Sequence, residues 1–268
     1  MVRKARLDAE LVRRGLARSR DHAAHLVYAG RVTIRGVAAA KPATGVEPDA
    51  PLVVREDTAG PEWVSRGAHK LLGALDRFEP AGLTVAGGRC LDAGASTGGF
   101  TDVLLHRGAR EIVAVDVGYG QLAWRLQIDE RVQVHDRTNV RSLTAEAIGG
   151  PVDVVVADLS FIPLRIVLPA LLACTAPGGD LVPMVKPQFE VGRERLGAGG
   201  VVRDPALRVA AVLDVARAAA DLGLGLRDVV ASPLPGPSGN VEYFVWLSRG
   251  PAAAGEDVVR AAVEEGPL

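Results

Sequence analysis

Short runs of β-branched residues alternate with segments of helical composition from residue 89 to residue 247. Such alternation is typical of a parallel sheet that is covered by helices on both faces. The sequence therefore predicts an α/β, doubly wound domain with a seven-stranded, mostly parallel sheet. Strands are predicted at 89–92, 112–116, 132–135, 152–158, 181–185, 226–232 and 241–247, and helices at 100–107, 162–172 and 206–222. No helix separates the last two strands, so they could pair antiparallel at the sheet edge.

A basic segment precedes this domain. Residues 1–46 contain ten Lys or Arg and three acids, a net charge of +7, whereas the whole chain carries −1. Helices are predicted at 7–14, with Asp8 as N-cap, and from Ser19 to Gly30, followed by strands at 31–36 and 52–55. A basic module on an acidic body suggests a polyanionic partner, although an ordinary solvated basic face stays an open alternative.

These patterns predict four regions: a basic module at 1–58, a linker at 59–66, the α/β domain at 67–250 and a C-terminal tail at 251–268. The basic N-terminus is not followed by an apolar segment, and no run of about 18 apolar residues occurs, so we expect a cytoplasmic protein. Two cysteines in apolar stretches predict buried thiols, and we expect no metal site.

A glycine-rich segment, 92–100 (DAGASTGGF), follows the first predicted strand and opens a helix. Its glycines allow close approach of a ligand, but Ser96 breaks the G-x-G-x-x-G pattern of dinucleotide-binding proteins. Asp116 ends the second strand, where a carboxylate can accept both ribose hydroxyls of a nucleoside, and Asp136 follows the third. For each Asp, a turn-forming role at a strand end stays an alternative. Tyr119 could cover an adenine ring or pack in the core.

Two candidate catalytic residues end neighbouring predicted strands. Asp158 follows the strand at 152–157, and Lys186 follows the strand at 181–185, so both lie at the carboxyl edge where ligands bind in open α/β sheets. A lysine in an apolar run is hard to explain structurally, which makes Lys186 a candidate functional group. Glu190 opens a glycine-rich loop, and we expect it at the surface with a structural or substrate-side role.

The basic module resembles the S4 RNA-binding domain. The similarity lies in residues 6–8 (RLD), 15–20 (GLARSR), Ala23 and Ala24, and 30–36 (GRVTIRG). It implies recognition of structured RNA through phosphate and shape contacts. The cations that we expect to bind RNA are Arg3, Lys4, Arg6, Arg14, Arg18, Arg20 and Lys41.

The whole chain, from about residue 3 to residue 248, resembles the TlyA family. The similarity lies in six motifs: 65–70 (SRGAHK), 92–100 (DAGASTGGF), 116–122 (DVGYGQL), 158–162 (DLSFI), 186–190 (KPQFE) and 236–242 (GPSGNVE). Members join an S4 domain to a Rossmann-like, FtsJ-like methyltransferase domain, and they methylate cytidine 2′-hydroxyls of 16S and 23S ribosomal RNA. The resemblance implies a K-D-K-E catalytic tetrad of Lys70, Asp158, Lys186 and Glu242, with Lys186 as the base or the residue that positions the hydroxyl.

The same resemblance implies S-adenosylmethionine as cofactor. We expect it to be bound by Asp92, Gly94, Ser96, Gly98, Gly99, Phe100, Asp116, Tyr119 and Asp136. Because the family also carries the name hemolysin A, a membrane-active protein is one alternative, although the sequence offers no spanning or basic amphipathic helix for it. Others are a nicotinamide-dependent oxidoreductase, disfavoured by Ser96, and a non-catalytic ribosome-assembly factor.

Overall fold

The computed structural model describes residues 4–28, 30–39, 41–54, 62–236 and 238–267. The chain divides into two compact units, Met1–Glu62 and Trp63–Leu268. Of the predicted linker, residues 63–66 belong to the larger unit, and residues 59–61 lie outside the described residues. Arg3 and Arg55 also lie outside them.

The smaller unit is built from two helices and short strands: β1 Ala5–Arg6, α1 Leu7–Arg13, α2 Arg20–Tyr28, β2 Val32–Ile34, β3 Val37–Ala38, β4 Gly45–Val46 and β5 Leu52–Val54. Strand β1 pairs antiparallel with β4, and β2 lies between β3 and β5. Leu7, Leu11 and Leu26 are buried in its core. Helices α1 and α2 and strands β2 and β5 lie within the predicted ranges or close to them, whereas strands β1, β3 and β4 were not predicted.

The two predicted N-caps of this unit have different outcomes. The Ser19 hydroxyl accepts a hydrogen bond of 3.1 Å from the His22 backbone N–H, as a capping residue does. The prediction for Asp8 is wrong, because Arg6 holds the cap position and Asp8 lies in the first turn. The buried Asp8 carboxylate instead accepts hydrogen bonds from the Arg6 and Arg20 guanidinium groups, which hold its pKa well below the usual range.

The larger unit alternates strands and helices around one sheet. Its elements are α3 Gly67–Phe78, β6 Arg89–Ala93, α4 Gly99–His106, β7 Glu111–Val115, α5 Trp124–Gln127, β8 Val132–His135, β9 Val152–Ala157, α6 Leu164–Ala173, β10 Thr175–Val185, α7 Pro187–Glu190, α8 Pro205–Ala220, β11 Leu224–Ala231, β12 Tyr243–Arg249 and α9 Glu256–Glu265. The seven-stranded sheet has the order β11-β12-β10-β9-β6-β7-β8. Strand β12 pairs antiparallel with both β11 and β10, and the other neighbouring strands pair parallel. The doubly wound fold and its antiparallel edge are confirmed.

The sheet core consists mainly of small and branched aliphatic side chains on both faces, together with a few aromatic rings such as Phe100 and Phe244. Leu91, Val113 and Val155 are completely buried on one side, and Ile112 and Val182 are completely buried on the other. Helix α9 contradicts the prediction of a C-terminal tail, because its buried Val259 joins this core. Tertiary packing of Val259, Ala262 and Val263 stabilises this short amphipathic helix.

Candidate active site

The topology collects polar residues at one edge of the larger sheet. Asp116, Asp158 and Lys186 directly follow the parallel strands β7, β9 and β10. Strand β12 runs antiparallel to β10, with Val185 opposite Tyr243, so its preceding residue, Glu242, begins at that same edge. The register therefore places Glu242 next to the carboxyl ends of the parallel strands, although these strands lie much earlier in the sequence.

Lys186 and Asp158 form an ion pair of 2.5 Å between Nζ and Oδ1. Lys186 Nζ also donates a hydrogen bond of 3.0 Å to the Ser160 hydroxyl, which lies in the loop after β9. Lys186 is buried, whereas Asp158 is half-buried. Two anchors therefore fix the ammonium group at the end of β10, and Ser160 is a site residue that the sequence did not predict.

Lys70 and Glu242 form a second ion pair, of 2.5 Å between Nζ and Oε2, and both residues are buried. Lys70 lies on the amphipathic helix α3, whose apolar side packs beneath the sheet through Leu71 and Leu75. Gly236 lies against the carboxylate: a Cβ built there would be 2.6 Å from Glu242 Oε1. The pair is therefore enclosed by a helix from one end of the unit and a loop from the other.

The scarcity of lysine in the sequence also identifies Lys70 as a candidate functional residue. The chain has 31 Lys and Arg residues but only four lysines, and Lys70 and Lys186 are the two that follow position 41. Arginine therefore supplies every other cation of the larger unit. Because lysine is rarely buried without a partner, two lysines inside an arginine-rich unit point to a special chemical role.

Asp92 lies completely buried in β6, and burial, followed by the nearby charges of Asp158 and Asp116, raises its pKa to about 7. The Thr101 hydroxyl donates a hydrogen bond of 2.7 Å to Asp92 Oδ2. Among the described residues, the other oxygen, Oδ1, has no hydrogen-bond partner. Buried carboxylate oxygens normally accept a hydrogen bond. A free acceptor at Oδ1 is therefore what a binding site for a cationic ligand group requires.

The glycine-rich loop after β6 approaches its neighbours too closely for side chains. Gly94 has a φ of +88°, and a Cβ there would be 2.5 Å from the carbonyl oxygen of Asp158. Gly98 has a φ of +95°, and a Cβ there would be 2.3 Å from Leu126. Gly99 meets Ser65 Oγ in the same way, so these three glycines are required by packing as well as by any ligand.

Two further acids lie beside this loop. The Asp116 carboxylate accepts backbone hydrogen bonds from Ser96 (2.8 Å) and Gly118 (2.7 Å), and Asp136 accepts one from Gly120 (2.9 Å). Both acids are half-buried and order the loops around them, which is the turn-forming role. Since each carboxylate oxygen can accept a second bond, this role leaves room for ligand hydroxyl or amino groups.

Two aromatic residues of the predicted cofactor site differ in placement. The Tyr119 side chain is 70% exposed with the Arg137 guanidinium 4.2 Å from its ring centre, so the alternative of core packing is wrong. Phe100 is buried, with its ring centre 5.8 Å from that of Phe244. Because its ring belongs to the core, only the backbone of Phe100 is placed to meet a ligand.

Glu190 is not at the surface, contrary to expectation. It is buried, and its Oε1 accepts a hydrogen bond of 2.7 Å from the Leu164 backbone N–H. Burial raises the pKa of this carboxyl to about 6. The buried amide of Asn240 makes a comparable link, since it donates to the Gly200 carbonyl (3.0 Å) and accepts from the Val202 N–H (2.9 Å).

Of the predicted RNA-binding cations, those that the structure describes are exposed, with the exception of Arg14, and Arg3 lies outside the described residues. Arg14 donates hydrogen bonds of 2.7 and 2.8 Å to the carbonyls of Ala50 and Pro48 and pairs with the buried Glu10. Its guanidinium holds the module together, so we do not propose an RNA contact for it. The exposed cations are Lys4, Arg6, Arg18, Arg20 and Lys41.

Replacing Asp92 with Asn is expected to stabilise the ligand-free protein at pH 8. The native pKa lies above the ordinary 3.8, so the folded chain retains this proton to higher pH and loses stability as the pH rises from about 4 to about 7. The rise to about 7 corresponds to a penalty of up to about 4 kcal/mol. Urea unfolding at pH 5 and pH 8 measures this penalty. The wild type should have a lower free energy of unfolding at pH 8 than at pH 5, and this difference should be smaller in Asp92→Asn.

The exposed Glu130 provides the control, because Glu130→Gln removes the same charge where water already solvates it. This variant should keep the wild-type pH dependence. An Asp92→Asn protein that is less stable than the wild type at pH 8 would contradict the assignment of a desolvated carboxyl.

Comparison with known proteins gives consistent matches. The family model of the FtsJ-like methyltransferases matches residues 63–249. The 16S/23S rRNA (cytidine-2′-O)-methyltransferase TlyA of Mycobacterium tuberculosis is 62% identical over the full length of both chains, and hemolysin A of Brachyspira hyodysenteriae is 34% identical over 89% of this chain and 98% of its own. A solved structure from Streptococcus thermophilus has a TM-score of 0.77 and 34% identity, covering 99% of this chain and 96% of that one.

Within the described ranges, no helix has the length and apolar character needed to cross a membrane. The same part of the chain holds no group of three or more His, Cys, Asp or Glu residues that could bind a metal ion.

Proposed function

The chain belongs to the TlyA family of FtsJ-like methyltransferases, and we propose that it transfers a methyl group from S-adenosylmethionine to cytidine 2′-hydroxyls of ribosomal RNA. The observation that carries this proposal is the presence of two lysine–carboxylate pairs, each with a buried lysine, at the carboxyl edge of the sheet. The choice of cytidine rests on the relatives alone.

Methylation of a 2′-hydroxyl requires orientation and a proton acceptor. The hydroxyl is a weak nucleophile, so its oxygen must be aligned with the methyl group and its proton must leave as the oxygen–carbon bond forms and the carbon–sulfur bond breaks. We assign both tasks to Lys186 Nζ, which Asp158 and Ser160 hold in place. It accepts the hydroxyl proton as the neutral amine, after its own ammonium proton has passed to solvent. The Lys70–Glu242 pair lies at the same edge of the sheet, and we assign the remaining donors of the Lys70 ammonium group to the ribose.

The residues around Asp92 fit S-adenosylmethionine, which supplies an activated methyl group on a sulfonium. The partnerless Oδ1 of Asp92 suits the ammonium of the methionine moiety. Asp116 and Asp136 suit the ribose hydroxyls and the adenine amino group, and Gly94 keeps the loop free of a side chain. The Asp92→Asn protein should therefore combine higher stability with a cofactor affinity lower by at least about tenfold.

We assign RNA docking to the exposed cations of the smaller unit. Replacing Lys4 and Lys41 with Gln should weaken binding to ribosomal RNA several-fold at low salt. The magnitude of the slope of log K, the association constant, against log salt concentration should fall by about two, since each phosphate contact contributes about one. Filter binding between 50 and 200 mM salt, or about that range, measures this slope. The exposed Arg260→Gln in α9 is the control, and an unchanged slope in the double variant would contradict the assignment.

The experiment that tests the proposed function is transfer of a labelled methyl group from S-adenosylmethionine to purified small and large ribosomal subunits. We expect label in the ribosomal RNA of at least one subunit. If neither accepts label under conditions in which the protein binds the cofactor, the substrate assignment fails.

A further inference from the structure

The buried Glu190 links the two segments that follow the catalytic strands β9 and β10. It lies four residues after Lys186, at the end of the single turn that forms α7. A backbone hydrogen bond of 2.9 Å from the Phe189 N–H to the Lys186 carbonyl closes this turn. Its Oε1 accepts a hydrogen bond of 2.7 Å from the Leu164 N–H, at the start of α6. A side chain from one segment thereby caps the helix that follows the other.

Helix α6 needs this cap because its own sequence provides none. The residue at its N-cap position is Pro163, which makes no side-chain capping bond, and Leu164 is the first helical residue. The first N–H groups of a helix have no partner within it, and a buried donor without a partner is costly. A carboxylate at this position also interacts favourably with the positive end of the helix dipole.

The loop between β9 and α6 is consequently fixed at both ends. Its first residue, Asp158, donates a backbone hydrogen bond of 3.0 Å to the Ala93 carbonyl, and Leu164 donates to Glu190 at its end. Between them, Ser160 contacts Lys186, and Phe161 holds a strained left-handed φ of +65°. Such strain persists only where the surroundings over-determine the backbone.

We propose that Glu190 is a positioning residue of the methyl transfer: by capping α6 it holds Asp158 and Ser160 in the geometry that orients the Lys186 ammonium. This inference rests on the proposed function. The contact with Leu164 closes a ring that runs from Lys186 through α7 and Glu190 to Leu164 and back through Ser160 to Lys186.

The chemistry of the cap indicates which property of Glu190 matters. The nearest guanidinium, that of the exposed Arg165, is 3.9 Å from Oε2, and burial of Glu190 disfavours its charge. The acceptor oxygen is therefore the essential group and the charge is not. Gln retains that oxygen at the same distance along the side chain, whereas Ala and Met offer no acceptor.

The test compares Glu190→Gln with two variants that lack an acceptor, Glu190→Ala and Glu190→Met. The Met variant retains the buried volume and serves as the test if the Ala variant does not fold. We expect the variants without an acceptor to lose at least about tenfold in kcat while KM for S-adenosylmethionine changes by less than about twofold. Glu190→Gln should stay within about threefold of the wild type. Glu194→Ala, an exposed glutamate of the following loop, is the matched control and should behave as the wild type.

Amide hydrogen exchange at Leu164 provides a readout that does not depend on activity. Exchange should be at least about tenfold faster in the Met variant and close to wild type in the Gln variant. A Met variant with wild-type kcat, or a Gln variant as impaired as the Met variant, overturns the inference. Absence of methyl transfer by the wild type would instead refute the proposed function, and the exchange rates would still decide whether Glu190 caps the loop.

Discussion

Replacing Lys186 with Met is expected to reduce methyl transfer to ribosomal RNA by about 1000-fold, within the range that a positioned proton acceptor contributes. The variant keeps the length of the side chain and removes the group that contacts Asp158 and Ser160. Single-turnover transfer of labelled methyl groups measures the loss. Because Asp158 is half-buried and can be hydrated, the protein should still fold and bind both cofactor and RNA.

The variant Lys186→Arg distinguishes proton acceptance by residue 186 from electrostatic orientation of the hydroxyl by its positive charge. Arginine retains the positive charge but cannot be deprotonated in a protein, so it can orient a hydroxyl without accepting its proton. We expect this variant to be nearly as inactive as Lys186→Met. Wild-type rates in the Arg protein would contradict the assignment of Lys186 as proton acceptor, and activity in Lys186→Met would contradict its place in the reaction.

Replacing Lys70 with Met is expected to destabilise the protein by about 3–5 kcal/mol, the usual cost of removing one partner of a buried ion pair. The Glu242 side chain is only 1% exposed, so its charge would remain in the interior without compensation. Neighbouring loops cannot relax freely around it, since Gly236 already lies against the carboxylate. Urea unfolding followed by circular dichroism measures the change.

The double variant Lys70→Met/Glu242→Gln is the control for this explanation. Removing the second charge eliminates the penalty, so the double variant should recover most of the lost stability even though it lacks two of the proposed catalytic residues. If Lys70→Met is destabilised by less than about 1 kcal/mol, or if the double variant is less stable than Lys70→Met, the pair is not a desolvated ion pair.

The alternation of β-branched runs and helical segments was sufficient to predict the sheet. The predicted carboxyl ends of the strands lie within two residues of the observed ends, and Asp158 and Lys186 could therefore be assigned to the carboxyl edge from sequence. Helix α9 was missed although Val259, Ala262 and Val263 recur at helical spacing and two acids lie in its first turn. What a local pattern cannot report is the packing of Val259 on the distant core.

The second half of the tetrad lies beyond what local patterns can predict. Lys70 and Glu242 are 172 residues apart, and their contact depends on α3 and on the antiparallel register of β12 with β10. The resemblance supplied these residues, and the scarcity of lysine would have supplied Lys70 independently. The surface position expected for Glu190 was wrong for the same reason, because its partner Leu164 lies on a separate helix.

Nucleoside analysis of methylated ribosomal RNA tests the central claim most directly. Ribosomal subunits labelled by the wild-type protein and by Lys186→Met are digested to nucleosides, and the labelled product is identified by mass spectrometry. The account predicts 2′-O-methylcytidine in the wild-type reaction and almost none with Lys186→Met. Label on a base atom, or equal amounts of 2′-O-methylcytidine from both proteins, would contradict it.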